Sequence, residues 1–150
     1  MCLIWFHRYS TNINLLPAPA LTSATHLAAK HRDCKCLKLL IAEGADLYSK
    51  CRPHDTPVLS VAGKFGNIAG VKMLLQGKAP VNATDSRGWS ALMAAIEKRQ
   101  FECATYIVAQ CNPDMNMITG NGKSALDLVN DAILMCKEEP LLSQGTNLQD

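Results

Sequence analysis

Apolar residues recur in this chain as triplets with i, i+3, i+4 spacing: Leu37, Leu40 and Ile41, then Val71, Leu74 and Leu75, then Ala104, Ile107 and Val108. Residues so spaced lie on one face of an α-helix, so each triplet predicts a helix with one buried side. The first members of the triplets are 34 and 33 residues apart, and a further step of 34 reaches Glu138, Leu141 and Leu142. A hydrophobic pattern returning at such a period indicates stacked units, none of which can bury its apolar face alone. The stretch Pro57 to Trp89 is one such unit.

The same step governs the positions where helices should start and stop. Gly44, Lys78, Cys111 and Gly145 share the stop position, where a residue with positive φ is wanted. In the second unit Gly77 stands one place early, and in the third Asn112 tolerates that conformation. Hydroxyl residues open the units at Ser23, Ser90 and Ser124, with Thr56-Pro57 opening the second. A hydroxyl there accepts a bond from an otherwise unpaired helix N–H, and a following proline lacks the N–H that would go unused.

These stretches resemble the ankyrin-repeat family. Its T-P-L-H-x-A-A opening reads as Ser23-Ala-Thr-His26-Leu-Ala-Ala29, Pro57-Val-Leu-Ser-Val-Ala-Gly63, Ser90-Ala-Leu-Met-Ala-Ala-Ile96 and Ser124-Ala-Leu-Asp-Leu-Val-Asn130. Its L-L-x-x-G-A-D-V-N ending reads as Leu40 to Tyr48, Leu74 to Asn82 and Leu141 to Gln149. The resemblance implies an all-α solenoid of helix-turn-helix units joined by short β-hairpin-like turns. About four repeats are expected over residues 21–150, at about 21–52, 53–84, 85–117 and 118–150.

Residues 1–20 do not fit the repeat, and Pro17-Ala-Pro19 marks a break. They are expected to be a poorly ordered lead, with Leu3 to Phe6 folding back over repeat 1 as the alternative. Gly63 and Gly70 fall in the helices of repeat 2, each at a cost of roughly 1 kcal/mol against alanine, which predicts the softest internal unit. Pro140 lies where the last helix should run and predicts a short or broken end.

Composition narrows the function classes. A net charge of +2, no Lys/Arg run and 5% aromatic residues argue against nucleic acid. The opening apolar run, Leu3 to Phe6, is too short for a membrane span or a secretion signal, so neither membrane insertion nor secretion is expected. Seven scattered cysteines, an odd number, suit a reducing compartment, and the chain is expected in the cytoplasm or nucleus.

Candidate chemistry dissolves into the repeat. Gly120-Asn-Gly-Lys-Ser124 resembles the end of a phosphate loop but has Met117 where the full pattern needs glycine, and it coincides with a repeat turn. Cys34, Cys36, Cys51 and His54 have zinc-ligand residue types, yet residues two apart on a helix point to nearly opposite sides. Asn82-Ala-Thr84 has the form of a glycosylation acceptor on a turn. His26 stands at the family's histidine position, which implies a bond between neighbouring turns. No catalytic triad, H-E-x-x-H or paired-carboxylate spacing stands out. No enzyme activity, metal or cofactor is expected.

The resemblance implies a protein-binding module that uses turn tips and the ends of first helices to line a concave face. Carried over by position, the helix-end candidates are Lys30, His31, Lys64, Phe65 and Lys98. The turn candidates are Arg52, His54, Ser86, Arg87, Trp89 and Lys123. Phe65 and Trp89 are expected to be exposed, and with Arg87 to anchor an acidic or mixed protein partner on a monomer. Two alternatives stand beside this reading: a fragment of a longer array, and a Cys/His metal or redox protein.

Overall fold

The computed structural model describes residues 24–138, with side chains as far as Met135. Helices α1 (Ala24–Lys30) and α2 (Cys34–Ala42) lead into a hairpin of β1 (Lys50–Cys51) and β2 (Thr56–Pro57). Then follow α3 (Val58–Lys64), α4 (Ile68–Gln76), α5 (Ala91–Glu97), α6 (Phe101–Cys111) and α7 (Ala125–Glu138). β1 and β2 pair antiparallel, Lys50 opposite Pro57 and Cys51 opposite Thr56. Before α5 and α7 the hairpin shrinks to single bridges, Thr84 with Ser90 and Ile118 with Ser124. First helices stack on first helices in the order α1, α3, α5, α7, and second helices likewise in the order α2, α4, α6. This is the helix-turn-helix solenoid that the 33 to 34 residue step predicts.

The first helices α1, α3 and α5 have 7 residues each, too short to persist alone, so their stability comes from packing. Enclosure between neighbours buries every residue from Val58 to Gly63 in α3 and from Ala91 to Ile96 in α5. In the second helices the first two members of each triplet are buried: Leu37 and Leu40, Val71 and Leu74, Ala104 and Ile107. The third member sits at the edge of the stripe. Ile41 and Leu75 are half-buried and Val108 is exposed.

Several helix ends differ from the reading of the sequence. Thr56 does not cap α3: it is drawn into the hairpin opposite Cys51, Pro57 takes the N-cap place, and no side chain caps that helix. At the second-helix stops, Lys78 itself takes φ +64 and Asn112 φ +43, while Gly77 is an ordinary cap residue at φ −75. Glycine at 77 has another cause, since a Cβ there would stand 2.9 Å from Leu47 Cδ1 of the preceding repeat. Where hydroxyls were expected to cap, Ser90 accepts from the Met93 N–H, and Ser124 and Asp127 bond reciprocally.

The glycines of repeat 2 also have packing causes. A Cβ on Gly63 would meet the Ala91 carbonyl oxygen at 3.0 Å, so α3 and α5 approach closely because that side chain is missing. A Cβ on Gly70 would fall 2.4 Å from Asn67 Nδ2. The lead at residues 1–20, Ser23, Pro140 and the triplet remnant Leu141 and Leu142 lie outside the described residues. α7 leaves Leu126, Ile133, Leu134 and Met135 exposed.

Candidate functional site

Two polar surfaces emerge from the stack: a ledge of turns and a row of corners where each first helix hands over to its second. Backbone bonds link the ledge across repeats. The Ser86 N–H donates to the His54 carbonyl at 2.8 Å, and the Gly120 N–H to the Arg87 carbonyl at 2.7 Å. The second bond uses a backbone donor of the segment that resembled a phosphate loop. Lys50 Nζ donates to the Thr84 carbonyl at 2.9 Å. Asn82 Oδ1 accepts from the Asp114 N–H at 2.9 Å. His26, 1% exposed, bonds through Nε2 to the Thr56 carbonyl at 3.0 Å, the tie between turns that its position implied.

The middle turn is built on Asp85, whose side chain is only 2% exposed. Its Oδ1 accepts from the N–H groups of Arg87 and Trp89, each at 2.9 Å. Its Oδ2 takes Arg87 Nε at 3.1 Å and Nη2 at 2.8 Å. Burial pushes the Asp85 carboxyl up, but the Trp89 N–H and the Arg87 donors outweigh it and hold the group below the usual carboxylate range. Arg87 is therefore committed to its own turn. Trp89, expected to stand exposed, is half-buried and packs against the core. Lys123 is likewise engaged, by Asp131 of α7, and that bond raises its pKa. Ser86, Arg52 and His54 are exposed at the ledge.

The corners are different. Arg32, Gly66 and Arg99 hold equivalent places and all take positive φ, +57, +68 and +57. Phe65, 38% exposed, precedes the middle corner. Lys30 Nζ lies 5.6 Å from the centre of its ring and Lys64 Nζ 5.9 Å, both within cation–π range. Arg32 Nε and Nη2 donate to the Phe65 carbonyl at 3.1 and 2.8 Å. His31, Lys98 and Arg99 are exposed in the same row, with Lys98 3.7 Å from Glu97. The structure thus brings Lys30, Lys64 and Phe65 together, whereas Arg52, His54, Ser86, Arg87, Trp89 and Lys123 belong to the ledge. Arg32 and Arg99 escaped the sequence reading, although their step from Gly66 repeats that of the helix stops.

Burial pushes the thiols of Cys51, Cys103 and Cys111 up, away from the reactive thiolate. Among the described residues, no group of three or more His, Cys, Asp or Glu could hold a metal ion. No helix among them is long and apolar enough to cross a membrane.

The family model for ankyrin repeats, written as three copies, matches residues 24–127. The chain belongs to the ankyrin-repeat family, whose members are generally protein–protein interaction modules and typically non-catalytic. The match covers the three complete helix pairs and enters α7, the first helix of the fourth unit predicted at residues 118–150.

Proposed function

We propose that this chain is a non-catalytic adaptor, scaffold or inhibitor that holds a protein partner on its first-helix ends and turn tips. It works as a monomer in the cytoplasm or nucleus. The observation that carries the reading is the exposed Phe65 ring flanked by Lys30 and Lys64, an aromatic among cations of the kind that concentrates binding energy at interfaces. Among the described residues, Cys34, Cys51, Cys103 and Cys111 are free thiols, which suits a reducing compartment.

The test is affinity capture from cell lysate with the purified chain, beside a variant carrying Lys30→Ala, Phe65→Ala and Arg52→Ala. Matched helical content by circular dichroism and a monomeric mass by light scattering qualify both baits. Proteins held by the wild type and released by the variant are the expected result. A wild-type bait that retains nothing beyond an unrelated repeat protein would sink the reading.

A further inference from the structure

We infer that the corner of repeats 1 and 2 is a receptor for a short acidic peptide segment carrying one large apolar side chain. The inference rests on the proposed binding role and names the chemistry of the partner.

The argument starts from unbalanced charge. Lys30 and Lys64 both lie within 6 Å of the same ring centre, which places their ammonium groups no farther apart than roughly one Debye length. Arg32 is pinned beside them by its two bonds to the Phe65 carbonyl. Among the described residues, none of these three cations forms a salt bridge. Asp33, next to Arg32, caps α2 by accepting from the Cys36 N–H at 3.0 Å, and Glu97, one repeat on from Lys64, faces Lys98. On the ledge, by contrast, Arg87 and Lys123 are neutralised by acids of their own. Three exposed cations without a counter-charge thus gather around one ring, where they attract and orient an anionic ligand.

The apolar part of the ligand follows from Phe65. Phe65 keeps 38% of its surface exposed although two lysines lie over its ring. An aromatic or aliphatic side chain laid on it would be desolvated while carboxylates on either side meet Lys30, Lys64 and Arg32. The corner is also preorganised. Gly66 leaves room that a Cβ would remove, at 2.9 Å from Arg32 Nη2 and 2.2 Å from Gln100 Oε1, so the arginine lies across the repeat boundary.

The extent of the positive charge favours a peptide over a nucleic acid. At the helix-end position the residues run Lys30, Lys64, Glu97, Asp131 along the stack. The charge at that one position changes sign after two repeats, where Glu97 is paired with Lys98 and Asp131 with Lys123. Phosphates repeating along a strand would soon run past the unpaired cations onto pairs that are already neutral, whereas a short acidic segment ends before them.

The probe is a phage-displayed library of random peptides of about twelve residues, panned on the full chain and on three variants. These are Lys30→Gln with Lys64→Gln, Phe65→Ala, and a control with Lys35→Gln and Lys38→Gln on the exposed side of α2, each checked for wild-type helicity and urea midpoint. Expected clones carry several Asp or Glu around one Leu, Phe, Met or Trp. As labelled synthetic peptides they should bind about tenfold or more weakly to the two corner variants, and equally well to the α2 control. Their affinity should also fall about tenfold between low and moderate salt. Neutral or basic clones, clones indifferent to the corner variants, or no enrichment at all would overturn the inference. So would tighter binding of a single-stranded RNA or of phosphatidylserine vesicles than of the selected peptides. A lysate partner that both corner variants retain and Arg52→Ala releases would overturn the acidic corner while leaving the binding module intact.

Discussion

The side-chain amide of Asn67 donates to the carbonyl of Ala29, 38 residues earlier, at 3.0 Å, while its oxygen accepts from the Gly70 N–H at 2.8 Å. One buried residue thus caps α4 and ties it to the end of α1. Asn67→Ala should lower stability by roughly 2–4 kcal/mol, about 1 from the cap and the remainder from the unmet carbonyl. Asn67→Ser keeps a capping oxygen but loses the reach, so it should cost only the bridging part. Urea denaturation of the pair separates the two contributions: equal losses would show that the cap contributes nothing, and a serine variant as stable as the wild type would show that the bridge contributes nothing.

Replacing glycine by alanine inside a helix ordinarily stabilises by roughly 1 kcal/mol. Here the sign should reverse. Gly63→Ala presses a methyl on the Ala91 carbonyl at 3.0 Å, and overpacking of this kind costs about 1–3 kcal/mol. Gly70→Ala displaces the Asn67 side chain, so its effect and that of Asn67→Ala should overlap rather than add. A double-mutant cycle measured by thermal unfolding checks both statements.

Ser60 occupies the place in repeat 2 that His26 occupies in repeat 1, and it is 2% exposed. Among the described residues its Oγ is the buried side-chain polar atom without a hydrogen-bond partner. Ser60→Ala should therefore raise stability, by about 1 kcal/mol, since an unsatisfied hydroxyl is removed and helix propensity improves. An unfolding midpoint that drops would mean that the hydroxyl finds a partner in solution.

Acid should weaken the fold in two stages. Burial lowers the His26 pKa below its ordinary 6.5, and the Thr56 bond and the Asp46 charge only partly oppose that. The unfolded chain then binds a proton near 6.5 that the folded chain refuses, so the stability held above that pH is lost progressively as pH falls below it. Asp85, with its pKa held below 3.8, contributes a second loss only as pH drops under that value. Urea midpoints should decline between about pH 7 and 5, and His26→Gln, which keeps an N–H donor, should flatten that slope. An unchanged slope in the variant would assign the effect elsewhere.

The repeating step was legible because each unit has the same packing task, so Leu37, Val71 and Ala104 return in register and are buried alike. The candidate surface was legible as to place and less so as to state. Residue type marks Arg87 and Trp89 as turn residues, but the sequence pattern does not show that the Asp85 carboxylate lies behind both and draws them inward. Thr56 was misread for a related reason: hairpin pairing and capping compete for the same residue, and the hairpin wins. Gly77 misled because glycine serves close approach as well as positive φ. Arg32 and Arg99 went unremarked because the positive-φ place at the corners is filled by arginine in two repeats and glycine in one.

The two complete seams of the stack are fastened unequally. His26, Arg32 and Asn67 tie repeat 1 to repeat 2 through hydrogen bonds. Their counterparts one unit on are Ser60, Gly66 and Gln100, and among the described residues none of these side chains forms such a bond. Directional bonds fix an angle, while the apolar contact of Gly63 on Ala91 resists separation more than sliding. The helix side of the second seam is therefore freer to slide than its turn side, which the Ser86 N–H to His54 carbonyl and Asp114 N–H to Asn82 Oδ1 bonds still fasten, and a ligand that straddles the corners there would fix the angle between repeats 2 and 3.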